Sequence, residues 1–136
     1  MLANGIKLSY KNTTTYVELT GLKEVPDMGM EPEKVENTTL SDTVKKYEFG
    51  IGDYGDLEFT FKYENKTATS PYRVLRGFAD AKKVTEFKEE FPDGTTFEWS
   101  AIPNVKIGGG GVNSPVDFVL SMALQSDIKV TDPTGA

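Results

Sequence analysis

The sequence predicts a mainly β fold, a β-sandwich or small barrel with one flanking α-helix at about residues 70–83, and three observations point there. Leu57, Phe59, Phe61 and Tyr63 alternate without a break against Glu58, Thr60, Lys62 and Glu64, the period of a strand with one dry face and one wet face. From Phe91 to Val130 two longer runs of the same period meet across a glycine-rich loop: Phe97, Trp99 and Ala101 answer Val116, Phe118, Leu120, Met122 and Leu124. Between these segments the period changes once. Ser70 and Pro71 read as an N-cap and first-turn proline, and Val74, Leu75, Phe78 and Ala81 recur at helical spacing, leaving Arg73, Arg76, Asp80, Lys82 and Lys83 to water. Gly77 inside that helix costs ~1 kcal/mol relative to alanine or permits close packing on a sheet.

The remaining elements follow in order. Ile6, Leu8 and Tyr10 alternate with Lys7 and Ser9, and Tyr16-Val17-Glu18-Leu19 resumes the pattern, so a short opening hairpin is expected. Gly21 to Pro32 holds two prolines and two glycines and reads as a long loop, of the length that often serves partner contacts. Folding back on its own core is an equal alternative for it. Lys34 to Leu40 is a weak strand and Thr43 to Gly50 a clearer one, with Tyr47 and Phe49 on one face. Gly50 to Asp56 then reads as the tip of a hairpin whose return strand is Leu57 to Tyr63. Val84 to Phe91 returns to strand, with Phe87 and Phe91 opposed to Glu86, Lys88 and Glu90, and Pro92-Asp93-Gly94 marks a turn before the long ribbon.

Composition removes most chemistry. The 136 residues suit one domain, here 1–136, and include no cysteine and no histidine. Disulfides, thiolate nucleophiles, imidazole bases and His- or Cys-ligated metals are therefore excluded. No cofactor is expected. The first residues lack a signal-peptide pattern and no apolar run approaches the ~20 residues of a membrane helix, so a soluble chain with no membrane insertion is expected. A net charge of -6 opposes adsorption to polyphosphate backbones.

The motifs that invite an active site have commoner explanations. Gly108 to Gly111 lacks the lysine and hydroxyl of a phosphate-binding loop, since Val112-Asn113-Ser114-Pro115 follows, and it reads as a connection between strands. The carboxylate pairs Glu89 with Glu90, Asp53 with Asp56 and Glu31 with Glu33 fit solvated faces, turns and loops better than paired acid and base groups. The chain is expected to be no enzyme. Tyr47, Phe49, Phe59, Phe61, Phe97 and Trp99 lie at strand spacing and read as packing residues.

Taken together, the early loop GLKEVPDMGMEPEKVENTTLSD, the hairpin KKYEFGIGDYGDLEFTFKYEN, the helix SPYRVLRGFADAKK and the ribbon FPDGTTFEWSAIPNVKIGGGGVNSPVDFVLSMALQSDIKV resemble in layout the major tail tube proteins of long, non-contractile-tailed bacteriophages. Their fold is shared by tubes of contractile tails and type VI secretion systems. The resemblance implies a structural subunit that forms stacked, hexameric rings, with a lumen that conducts DNA during ejection. It also implies partners: further copies of itself, a tape measure protein, tail initiator and terminator proteins, and DNA passing without sticking. The expected location is the virion tail, with assembly in the host cytoplasm. Glu58, Glu98 and Asp117, each on the polar face of an alternating strand, are the expected lumen residues. Val25, Met28, Met30, Ile51, Asp53 and Tyr54 are the expected contacts between subunits or rings. The alternative of another class is a β-sandwich binding module, such as a virion decoration or carbohydrate-binding domain.

Overall fold

The computed structural model describes residues 1–29, 31–55 and 57–134. It separates into two compact units: Met1–Val25 with Glu58–Ala136, and Pro26–Leu57, which interrupts the first in sequence.

The larger unit is mainly β. Its strands are β1 (Lys7–Asn12), β2 (Thr15–Leu19), β3 (Leu22–Glu24), β6 (Leu57–Lys62), β7 (Thr85–Glu90), β8 (Thr96–Ile107), β9 (Asp117–Leu124) and β10 (Lys129–Thr131), with the helix α1 at Pro71–Asp80. The strands β4 (Glu31–Glu36) and β5 (Tyr47–Asp53) belong to the smaller unit. One sheet runs in the order β2-β1-β7-β8-β9-β6-β3, with β10 added to β8 off that path. The twelve residues of β8 serve both halves of it. Thr96 to Ala101 pair with β7, Ala101 to Ile107 pair with β9, and β10 takes the edge at Thr96 to Glu98.

The core lies on the face that alternation assigns to it. Leu8, Phe59, Phe61, Leu75, Phe87, Ala101, Phe118 and Leu120 are fully buried, each contributing about 1.5–3 kcal/mol for the larger side chains. Trp99 stacks on Phe87 of the neighbouring β7 at 6.3 Å and on Phe59 of β6 at 6.1 Å. Because β9 lies between β8 and β6, and strands in a sheet are ~4.8 Å apart, the second stacking requires the sheet to curl toward its core. The helix fills that concavity. Phe78 meets Tyr10 edge-on at 5.4 Å, and Tyr72 meets Phe118 and Tyr63 at 5.5 and 5.1 Å.

The helix starts where expected, with Ser70 at the N-cap and Pro71 in the first turn, but its cap is made differently and it ends early. The Ser70 hydroxyl accepts from the amides of Lys66 and Thr67 and makes no side-chain cap, so the first turn relies on Pro71. The C-terminus comes early because Lys82 adopts φ 49°, letting the Lys83 amide reach back to the Phe78 carbonyl at 3.0 Å. At the next reversal Gly94, with φ 97°, closes the expected turn, whose Asp93 carboxylate accepts from the Thr95 amide at 2.9 Å.

Strand partners are where the expectation fails most. The segment Gly21 to Pro32 is not irregular throughout: Leu22–Glu24 pairs with β6, and Glu31 and Pro32 open β4. Residues Gly50 to Asp53 are no hairpin tip but the end of β5, whose partner is β4 and not β6. The register shifts between Pro32 and Lys34, where an extra β5 residue is accommodated opposite Glu33. Proline fits such a bulge because it has no N–H to offer the ladder, and Gly50 fits because a Cβ there would crowd the Glu33 carbonyl oxygen at 3.4 Å.

Candidate functional site

The smaller unit is a two-stranded hairpin, and two strands alone are marginal in water. Its register places Phe49 opposite Lys34 and Tyr47 opposite Glu36 on one face, with Val35 opposite Glu48 on the other. Tyr47, Phe49 and Ile51 are 57%, 71% and 92% exposed. Residues of this kind at strand spacing normally mark a core. Here they mark a surface that water covers in the single subunit.

The far end of the hairpin is built more firmly. Asp42 accepts from the Thr39 amide at 2.8 Å and pairs with Lys46 at 3.1 Å, and Asn37 donates to Glu48 at 2.6 Å. The Thr39 amide, then Lys46, hold the Asp42 carboxyl below the ordinary aspartate range. Leu40 and Val44 stand exposed on this tip. Neither is among the expected contact residues, since the sequence pattern there is mostly polar.

Of the expected contact residues, Ile51 lies at the bulge of β5, while Val25, Met28 and Tyr54 are half-buried. Met30 and the side chain of Asp53 lie outside the described residues. The carboxylate pairs Asp53 with Asp56 and Glu31 with Glu33 also fall partly outside them.

A second surface is the wet face of the large sheet. Glu98 lies between Lys88 and Lys129 in register, Lys11 meets Glu86 at 3.2 Å, and the Lys88 ammonium lies 5.2 Å from the centre of the Tyr16 ring. Asp117 is paired with Lys23 of β3 at 3.0 Å. Such exposed cross-strand pairs contribute about 0.2–1 kcal/mol each. Glu58, Glu98 and Asp117 thus all lie off the core face. Two of them stand beside lysines and are half-buried, while Glu58 is exposed. The net field of this face is an alternation of signs rather than a uniform acidic wall.

The sheet also ends in open edges. β2 and β3 terminate the strand order, and among the described residues no further strand pairs with either. Gly108 to Gly111 forms the connection from β8 to β9, with Val112 at 94% exposure beyond it. Glu89 departs from its expected solvated role, since it is fully buried while its neighbour Glu90 is exposed.

Comparison with known proteins gives a concordant picture. The family model described as phage tail tube protein, TTP, matches residues 3–132. No curated protein matches the chain in sequence. Among solved structures, the tail of an empty gene transfer agent particle, refined with C6 symmetry, is similar with a TM-score of 0.74 at 17% identity, over 96% of this chain and 99% of that one. A sheath/tube terminator structure of an extracellular contractile injection system has a TM-score of 0.72 at 7% identity, over 96% of each chain. The six-fold symmetrised baseplate of the anti-feeding prophage has 0.68 at 13%, over 93% and 91%.

Proposed function

The chain belongs to the phage tail tube protein family, and from that premise we propose that it is the structural subunit of a tail tube, built as stacked hexameric rings whose lumen conducts DNA during ejection. It works by polymerising, as one tail-tube-like unit over residues 1–136, with no catalytic step. The observation that carries this reading is the hairpin of β4 and β5: a marginal element displaying Tyr47, Phe49 and Ile51 gains stability once a neighbouring copy covers it. The open edges of β2 and β3 support ring closure, because each offers a free ladder to an adjacent copy. The C6 symmetry of the similar gene transfer agent tail supports six copies.

In such a tube the hairpin, with Val25, Met28, Met30, Asp53 and Tyr54, serves contacts between subunits or rings. Glu58, Glu98 and Asp117 face the lumen, and DNA passes because paired and like charges give it nothing to grip. Tape measure, initiator and terminator proteins are the remaining partners. Assembly takes place in host cytoplasm and the product resides in the virion tail. The finer assignment to a long, non-contractile tail rests on the order of elements, and a sheath around the native tube would overturn it.

Negative-stain microscopy and light scattering of the purified protein test the reading. Rings or tubes with six subunits per ring are expected. A chain that remains monomeric at every concentration, and beside a tail initiator, is instead a β-sandwich binding module.

A further inference from the structure

Glu89 occupies a core position by register. It pairs with Leu8 of β1 on one side and Phe97 of β8 on the other, and the row continues to Leu19 and Val130. The side chain is fully buried, and among the described residues neither carboxyl oxygen has a hydrogen-bond partner. Natural cores seldom leave a carboxyl in that condition, because an unpaired charge in an apolar surrounding is strongly disfavoured.

The charged groups around it point elsewhere. Alternation turns Lys7 of β1, Glu86, Lys88 and Glu90 of β7, Glu98 of β8 and Lys129 of β10 to the opposite face. Tyr10 of β1, Tyr63 following β6 and Tyr72 of α1 are titratable groups packed on the core side, and none of them bonds Glu89. Of the charged groups on the helix and the turn after it, Arg73 donates to Asn65, Arg76 lies over the Tyr72 ring and Lys83 over the Phe78 ring, while Asp80 and Lys82 are exposed to water.

We propose that Glu89 is a proton-operated latch on the β1–β7–β8 part of the sheet: neutral, it is an ordinary core residue, and on losing its proton it drives these strands apart to reach water. The opening has a preferred place. β7 is held to β8 by six register pairs and to β1 by four, so the β1–β2 hairpin is the piece that lifts. Since β2 is the open edge at that end of the sheet, the latch would also govern ring closure, a consequence that rests on the tube reading, whereas the latch itself does not.

Burial raises the carboxyl from 4.5 to about 7, and the sign follows. Below pH 4.5 the group is neutral in folded and unfolded chains, and the stability is fully present. As pH rises toward 7 only the unfolded chain ionises, so stability falls until the folded group titrates too. From well below pH 4.5 to well above pH 7 the ratio of folded to unfolded chain drops about 300-fold in total.

The experiment compares denaturant unfolding and amide exchange of the unassembled subunit with those of Glu89→Gln at matched pH. The wild type should lose about 300-fold in folded-to-unfolded ratio relative to the variant between the plateau well below pH 4.5 and the plateau well above pH 7. Its β1 and β2 amides should exchange faster than the variant's once Glu89 ionises. Parallel pH curves, or an exchange difference spread evenly over all strands, would overturn the latch. If Glu89→Gln does not fold, the carboxyl carbon of Glu89 in wild type is titrated directly by NMR: a midpoint near 7 supports the latch and one near 4.5 refutes it. Tube formation is not measured, so failure of the latch and failure of the tube reading remain separate results.

Discussion

Trp99 stacks on Phe59 with their planes 9° apart, although a whole strand separates β8 from β6 in the sheet. The same indole donates its Nε1–H to Met122 Sδ at 3.0 Å, so one side chain ties β8, β9 and β6 around the concave face. That makes Trp99 the cross-link of the core.

Replacing Trp99 with alanine should destabilise the subunit by about 3–5 kcal/mol, and with phenylalanine by less, since the stack survives while the N–H contact is lost. Because it is the single tryptophan, its fluorescence reports unfolding directly in the wild type, and circular dichroism follows the variants. A loss below ~1 kcal/mol for the alanine variant would mean that the curl of the sheet does not depend on this residue.

Serine at both Phe49 and Ile51 should leave the folded subunit within about 0.5 kcal/mol of wild type, because both are exposed. Tube formation should fail or shift to much higher concentration. Sedimentation and microscopy read the assembly, and thermal melts read the fold. Unfolding of the double variant would show that the hairpin's apolar residues serve its own core.

Asp117→Asn removes the ion pair with Lys23 and should cost less than ~1 kcal/mol, with the cost shrinking as salt is raised. Asp117→Lys sets two ammonium groups together and should cost more than Glu58→Lys, whose site is exposed. Equal costs in chemical denaturation would indicate that the β3 pairing is indifferent to Asp117. The triple lysine variant at Glu58, Glu98 and Asp117, assembled into tubes, should slow DNA passage; normal ejection would exclude these residues as lumen lining.

Asp42 orders the hairpin tip through its carboxylate, and its lowered pKa sets the sign of the pH dependence. The contribution is present at neutral pH and is lost as acid protonates the folded carboxyl, below the ordinary aspartate range of about 4. Exchange of the Thr39 amide should therefore be slow in wild type at neutral pH and fast in Asp42→Asn. Equal protection in the two proteins would assign the tip's order to the backbone alone.

Much of the fold is legible in local sequence. The faces of β6, β8 and β9 follow from alternation, so Phe59, Phe61, Trp99, Phe118 and Leu120 are identifiable as core from their period alone. The helix shows in a change of period, and the turn at Gly94 in three residues with known dihedral preferences. What local pattern cannot carry is pairing between distant segments. Adjacency in sequence suggests β6 as the partner of β5, yet the ladder of β5 is with β4, and its apolar side chains consequently face water. The same holds for Glu89. Its parity with Phe87 puts it on the core face, but a carboxylate ordinarily argues for water, and only the covering strands decide otherwise. The sequence by itself determined which residues share a face and that the chain has no histidine or cysteine. The tertiary structure alone decided which faces are covered, because burial depends on what long-range pairing brings against a strand, and alternation along that strand holds no record of it.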